Sequence, residues 1–221
     1  MEAGTAGTPR FAERGDGASR DADPTAPTVI QFPKVADPGP LGLAAFALTT
    51  FVLSFFNAGL APASGEPIVF GLAFAYGGLA QILAGMWEFR TGNTFGAVAF
   101  TSFGAFWLSY WAFVQFYAKT VPAADAGHAV GLYLIAWGIF TTYMLVASLR
   151  TTAAITVVFA LLAVTFFLLG IGNAGAHPNI VKAGGWVGLA TAVVAWYASF
   201  AAVTNATFGR TVLPVRPLVR H

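Results

Sequence analysis

The stretch from Gly71 to Leu108, GLAFAYGGLAQILAGMWEFRTGNTFGAVAFTSFGAFWL, sets two long apolar runs on either side of a short polar segment, Trp87-Glu88-Phe89-Arg90-Thr91-Gly92-Asn93. Ahead of that hinge, Gly77, Gln81, Gly85 and Glu88 recur three or four residues apart, which puts them on one face of a helix. Glycines around an amide are poor material for meeting lipid. They suit contact with another helix, or a polar passage. The stretch therefore reads as two membrane-spanning helices joined at a hinge.

Composition extends that reading to the whole chain. The 221 residues are 57% hydrophobic and 9% charged, against about 25% charged in an ordinary soluble domain. Between Leu41 and Asn205 the only Asp, Glu, Lys and Arg residues are Glu66, Glu88, Arg90, Lys119, Asp125, Arg150 and Lys182, and each falls between apolar runs. A bilayer core takes roughly twenty apolar residues per helix. Six such runs are present, at about 41–60, 68–86, 94–117, 128–148, 151–172 and 184–205. The expected fold class is an all-α integral membrane protein with six transmembrane helices, its membrane domain running over 36–214.

Residues 1–35 mix Gly, Ala, Pro, Thr, Asp and Arg without periodicity and read as a disordered tail with no signal-peptide core. Residues 215–221 read as a short C-terminal tail. Orientation follows the Lys/Arg bias. Lys34, Arg90, Arg150, Arg210, Arg216 and Arg220 fall on one side, and only Lys119 and Lys182 on the other. Both termini are expected on the cytoplasmic side of the cell membrane.

The absence of cysteine removes disulfides, thiolate catalysis and Cys-based metal sites. His128 and His177 have no companions at metal-ligand spacing, and no phosphate loop, HExxH motif or nucleophile elbow is present. The net charge of +2 comes without any basic cluster interleaved with aromatics, so nucleic acid is not an expected partner. No enzyme activity and no cofactor are expected. The lipid bilayer is the partner that the composition demands.

What remains is neutral polar chemistry inside apolar helices. Phe46, Thr49, Thr50, Leu53 and Asn57 form one stripe on the first span, and Leu162, Thr165, Phe166, Leu169 and Asn173 form another on the fifth. The third span offers Thr94, Thr101, Ser102, Phe103 and Ser109. Single hydroxyls commonly bond their own helix carbonyls. A mid-span glutamine such as Gln81 needs a partner, either another helix or a wet path. Glu88 reads as an edge residue, a proton relay or merely a boundary mark, with Asp37 and His128 as weaker candidates for proton coupling. Gly92 with Gly96, and Gly184 with Gly188, read as small-xxx-small packing pairs.

A weak acid with a carboxyl pKa near 4.3 is ionised at pH 7 in all but roughly one molecule in several hundred. The anion cannot enter lipid without a large desolvation cost. A protein path for it needs donors and no fixed carboxylate. The stripes supply such donors, but they would serve glycerol, urea or ammonia equally well. Asn57-Ala58-Gly59-Leu60-Ala61-Pro62 and Asn173-Ala174-Gly175-Ala176-His177-Pro178 match at four of six positions, an echo better explained as a shared way of ending a helix than as a duplication.

The Gly71–Leu108 block resembles the signature of the acetate uptake transporter family, which includes the bacterial succinate–acetate permeases. Asp37-Pro38-Gly39-Pro40-Leu41-Gly42-Leu43 resembles that family's Asn-Pro-Ala-Pro-Leu-Gly-Leu motif, with Asp for Asn and Gly for Ala. Gly170-Ile171-Gly172-Asn173, Ala183-Gly184-Gly185-Trp186-Val187-Gly188-Leu189 and Phe208-Gly209-Arg210-Thr211-Val212-Leu213-Pro214 resemble its later segments. The resemblance implies a homo-hexamer with a solute path through each protomer, for acetate and for succinate or other short carboxylates. It also implies an apolar constriction at Phe46, Phe103 and Leu162, with Thr49, Thr50, Gln81, Thr101, Ser102 and Asn173 as donors nearby. Phe103 stands where some members have tyrosine, so one hydroxyl is missing. The alternatives are passage of ammonia or another small neutral solute, and a membrane acetate sensor or scaffold that moves nothing.

Overall fold

The computed structural model describes residues 35–218, so all but the last residue of the expected N-terminal tail lies outside them. Six helical segments are long and apolar enough to cross a membrane: Gly39–Asn57, Ala63–Thr91, Thr94–Thr120, Ala123–Ser148, Ala153–Ala174 and Pro178–Phe208. Regular α-helix occupies α1 (Gly39–Asn57), α2 (Ile68–Phe74), α3 (Gln81–Thr91), α4 (Thr94–Ala112), α5 (Ala123–Ser148), α6 (Ala153–Ala174) and α7 (Pro178–Phe208). The second span is α2 and α3 joined by a π-turn at Ala75–Ala80, and the third continues from α4 through a π-turn at Phe113–Tyr117.

The helices pack in a ring. α5 lies on α6, α6 on α7, α7 on α1, α1 on the second span, and the second span on α4. Aromatic contacts close the ring between α4 and α5: Phe103 meets Phe140 at 5.4 Å and Phe106 meets Trp137 at 5.3 Å between ring centroids. Small residues set the close approaches elsewhere. A Cβ on Gly77 would lie 2.6 Å from Thr49 Oγ1, and one on Gly104 2.9 Å from the Gly78 carbonyl oxygen. Gly184 and Gly188 serve the same purpose on α7, against Leu169 and against Ser54 and Thr165. That is the packing role expected of such pairs in membrane helices.

The polar hinge differs from its sequence reading. Helix α3 runs through it to Thr91 and stops at Gly92, whose φ of 79° is the left-handed conformation that glycine adopts without strain. Asn93 then caps α4, its side-chain oxygen accepting from Gly96 N at 3.1 Å. The hinge thus contracts to a two-residue turn. Glu88 sits in the last turn of α3 at 2% exposure, buried against its neighbours. Gly92 and Gly96 are not a packing pair: one is a helix stop with nothing near it, and the other makes room for Glu88.

The described residues after α7, up to Leu218, are held by hydrogen bonds. The Asn205 side chain accepts from Val212 N (2.7 Å) and Leu213 N (2.9 Å) and donates to the Leu213 carbonyl (2.9 Å). Tyr197 Oη donates to the Pro214 carbonyl at 2.7 Å. The segment then folds across the start of α6, where Leu218 N bonds the Thr151 carbonyl and Ala153 N bonds the Arg216 carbonyl.

Candidate functional site

Two cavities of similar size open towards opposite ends of the helices. Cavity 1, about 300 Å³, lies at the end that carries both termini of the described chain. The start of α1, the end of α3, the starts of α4 and α6, late α7 and Val215 of the C-terminal segment all contribute to its wall. Its polar groups include Asp37, Gln81, Glu88, Asn93, Thr151 and Thr152. Cavity 2, about 290 Å³, lies at the other end, with Asn57, Glu66, Tyr110, Tyr133 and Asn173 on its wall.

In cavity 1 the Glu88 carboxylate accepts from Thr91 Oγ1 at 3.1 Å and from the Asn93 side chain. Asn93 therefore acts twice, capping α4 with its oxygen and holding Glu88 with its amide nitrogen. Gly96 is what admits this arrangement: a Cβ there would lie 2.7 Å from Glu88 Cδ. Asp37 accepts from Gly39 N at 2.8 Å and shares with Glu88 the space over Gly39. Gln81 is 1% exposed, and its Oε1 has no hydrogen-bond partner. A buried, unsatisfied acceptor on a cavity wall is suited to a ligand that brings a proton.

Between the cavities lies a plug of aromatic and aliphatic side chains. Phe46, Phe103 and Leu162 line cavity 1, while Leu53, Phe106 and Leu169, further along the same three helices, line cavity 2. From Phe103 to Phe106 is about 5 Å of helix, and from Leu162 to Leu169 about 10 Å. Phe166 fills the interval, stacked on Phe103 at 6.3 Å and edge-on to Phe106 at 5.2 Å. Trp137 bridges the same two rings from α5. Phe46, Phe103 and Leu162 are each at most 5% exposed.

Of the expected donors, Gln81 lines cavity 1 and Asn173 lines cavity 2. Thr49, Thr50, Thr101 and Ser102 line neither. Thr49 donates to the Ala45 carbonyl at 2.9 Å beneath Gly77. Thr101 is packed against Gly85, and its Oγ1, like that of Thr50, is buried without a partner. His128 is exposed and lines neither cavity. Asn57 and Asn173, the leading residues of the two echoed helix ends, both reach cavity 2.

The sequence matches the family described as GPR1/FUN34/yaaH over residues 21–220. This chain belongs to that family. Members similar to it include acetate permease A of Emericella nidulans, 43% identical over 84% of this chain and 67% of the permease. The succinate-acetate/proton symporter SatP of Escherichia coli K12 is 41% identical over 82% of this chain and 96% of the symporter. Ammonia transport outward protein 2 of Saccharomyces cerevisiae is 43% identical over 78% of this chain and 63% of that protein. The chain thus spans about two thirds of the length of these fungal relatives. The structure of the bacterial acetate channel SatP superposes with a TM-score of 0.77 at 40% identity, over 82% of this chain and 99% of SatP. The family's six-helix membrane fold is this chain's fold, and these relatives bear the names of transporters and channels rather than enzymes.

Within that family fold, sequence reasoning missed Glu66 as a cavity residue. Asp37 and Glu88, the carboxylates considered for proton coupling, both line cavity 1, and Glu66 lines cavity 2. Among the described residues lining the two cavities, none is lysine, arginine or histidine. The polar hinge did carry a signal. Asn93 next to Gly92, three residues before Gly96, is a helix stop, a cap and a gap in succession.

Proposed function

We propose that this protein carries acetate, and related short carboxylates such as succinate, across the cell membrane through each protomer, from one cavity to the other. The observation that supports this reading is the pair of cavities of nearly equal volume at opposite ends of a family fold, parted by a short apolar plug. Phe46, Phe103 and Leu162 act as the constriction. Gln81 and Asn173 meet the solute on either side of it, while Thr49, Thr50, Thr101 and Ser102 support the helices around it. Labelled acetate taken up by proteoliposomes faster than by protein-free vesicles, at a pH where the acid is ionised, is the expected result. Equal rates refute the reading.

The charge of the walls bears on the transported species. A bare anion entering cavities that carry carboxylates and no cationic side chain meets repulsion at both ends. A carboxylic acid, or an anion accompanied by a proton, does not. Glu88 is the coupling residue in this reading, with Asp37 beside it, and Gln81 Oε1 accepts from the protonated carboxyl. Acetate-driven proton uptake is expected in the wild type and reduced in Glu88→Gln. Undiminished, electrogenic acetate flux without proton uptake would instead establish an anion channel. The uncharged plug also accommodates ammonia, the solute in the yeast relative's name. Competition between acetate and ammonium in one flux assay separates the two solutes.

The functional unit in this reading is a homo-hexamer with both termini in the cytoplasm. Native mass spectrometry in detergent is expected to give six copies.

A further inference from the structure

We propose that Glu66 sets charge selectivity at cavity 2, disfavouring solutes with two negative charges and admitting those with one or none. The proposal rests on the transport reading above and adds to it a selectivity residue at the far side of the plug from Glu88. Glu66 lies at the start of the second span, two residues before α2, at the end of the bundle away from the chain termini, and it lines the cavity. Tyr110 Oη donates to Glu66 Oε1 at 3.3 Å, which holds the carboxyl group in place on the cavity wall.

The other polar groups of the cavity cannot cancel that charge. Tyr110 gives its one hydroxyl hydrogen to Glu66. Tyr133 gives its own to the Phe106 carbonyl at 2.9 Å, while Ser109 lies 2.7 Å from the Tyr133 oxygen. These two tyrosines are the only other titratable side chains among the described residues lining the cavity. Asn173 has one amide hydrogen on the Leu169 carbonyl and a second to offer, and Asn57 adds its amide. An entering solute therefore meets one fixed negative charge and two neutral amides. Acetate bears at most one charge against it. Fully ionised succinate bears two, and the second is held too close to escape the same field. The extra repulsion amounts to roughly tenfold in occupancy, the effect of two unit charges about 6 Å apart at an effective dielectric constant near 40.

The test is the ratio of succinate to acetate uptake by proteoliposomes at pH 7.5 and 5.5, with wild-type acetate uptake measured first. Absence of that uptake refutes the transport reading itself. Given uptake, the wild-type ratio is expected to be low at pH 7.5 and to rise at pH 5.5, where more succinate carries a single charge. Glu66→Gln is expected to raise the ratio at pH 7.5 by roughly tenfold. Glu66→Asp and Tyr110→Phe, which keep the negative charge, are expected to leave it low. The proposal is overturned if Glu66→Gln leaves the ratio unchanged, or if Tyr110→Phe raises it as much, since the effect then belongs to packing. Should Glu66→Gln fail to assemble, a wild-type ratio that does not change between the two pH values overturns it equally.

Discussion

In the proposed path, Phe103 is the residue on which the barrier depends. Its ring meets Phe46 at 5.9 Å on α1, Trp137 and Phe140 at 6.1 and 5.4 Å on α5, and Phe159 and Phe166 at 5.9 and 6.3 Å on α6. One side chain thus ties together four helices and seals the floor of cavity 1. An anion at this point loses its water and gains no donor in return. Phe103→Ala or Leu162→Ala is expected to raise acetate flux and to admit larger solutes. Truncating such a buried side chain typically costs about 2–5 kcal/mol of stability, so Leu162→Ala, which leaves the aromatic cluster intact, is the cleaner probe. Phe103→Tyr adds a hydroxyl at the cavity wall and is expected to favour carboxylates over apolar solutes of equal size. Alanine variants that assemble but retain the original rate and selectivity would remove these residues from the gate.

At the level of elements, the first π-turn and the C-terminal segment are departures from plain helix that reach cavity 1. The Ala75–Ala80 turn inserts a wide step between Gly77, which faces α1, and Gln81, which faces cavity 1. Such turns recur at functional sites because they re-aim the residues that follow. The C-terminal segment brings Val215 onto the wall of cavity 1 and depends on Asn205, which supplies three of its hydrogen bonds. Asn205→Ala is expected to lower stability by roughly 1 kcal/mol, the net worth of hydrogen bonds at exposed and half-buried groups. It is also expected to expose the Arg210–Leu218 stretch to limited proteolysis. An unchanged digestion pattern would show that Tyr197 and the Thr152–Pro217 bridge suffice to hold the segment.

At the level of the whole molecule, six spans return the end of α7 to the side on which α1 begins. In the orientation proposed from the Lys/Arg bias, that side is the cytoplasmic one. Because the chain has no cysteine, single cysteines report orientation without background. Lys119→Cys is expected to react with an impermeant maleimide added to intact cells, and Arg150→Cys only after permeabilisation. The opposite pattern inverts the orientation, and with it the assignment of Glu88 to the inner cavity and Glu66 to the outer one.

The number of spans was legible in the sequence because a membrane helix is a local property, settled by about twenty consecutive residues. The stripes on the first and fifth spans were legible for the same reason, since a helical period alone puts Phe46 with Leu53 and Leu162 with Leu169. Helix ends were less so. Hydropathy counts Glu88 as a charge that stops a span, while the structure buries it, because Gly96 leaves a gap and Asn93 and Thr91 fill its hydrogen bonds. Only tertiary structure decided which polar residues face a cavity. Gln81 and Asn173 do, whereas Thr49 and Thr101 face glycines on neighbouring helices, and Glu66 joins a cavity wall without having been singled out. A cavity wall is assembled from residues as distant as Asp37 and Val215, and its membership depends on how far each helix is rotated against its neighbours. That rotation is fixed by small residues meeting across interfaces, information held in pairs of distant positions and in no single stretch of the chain.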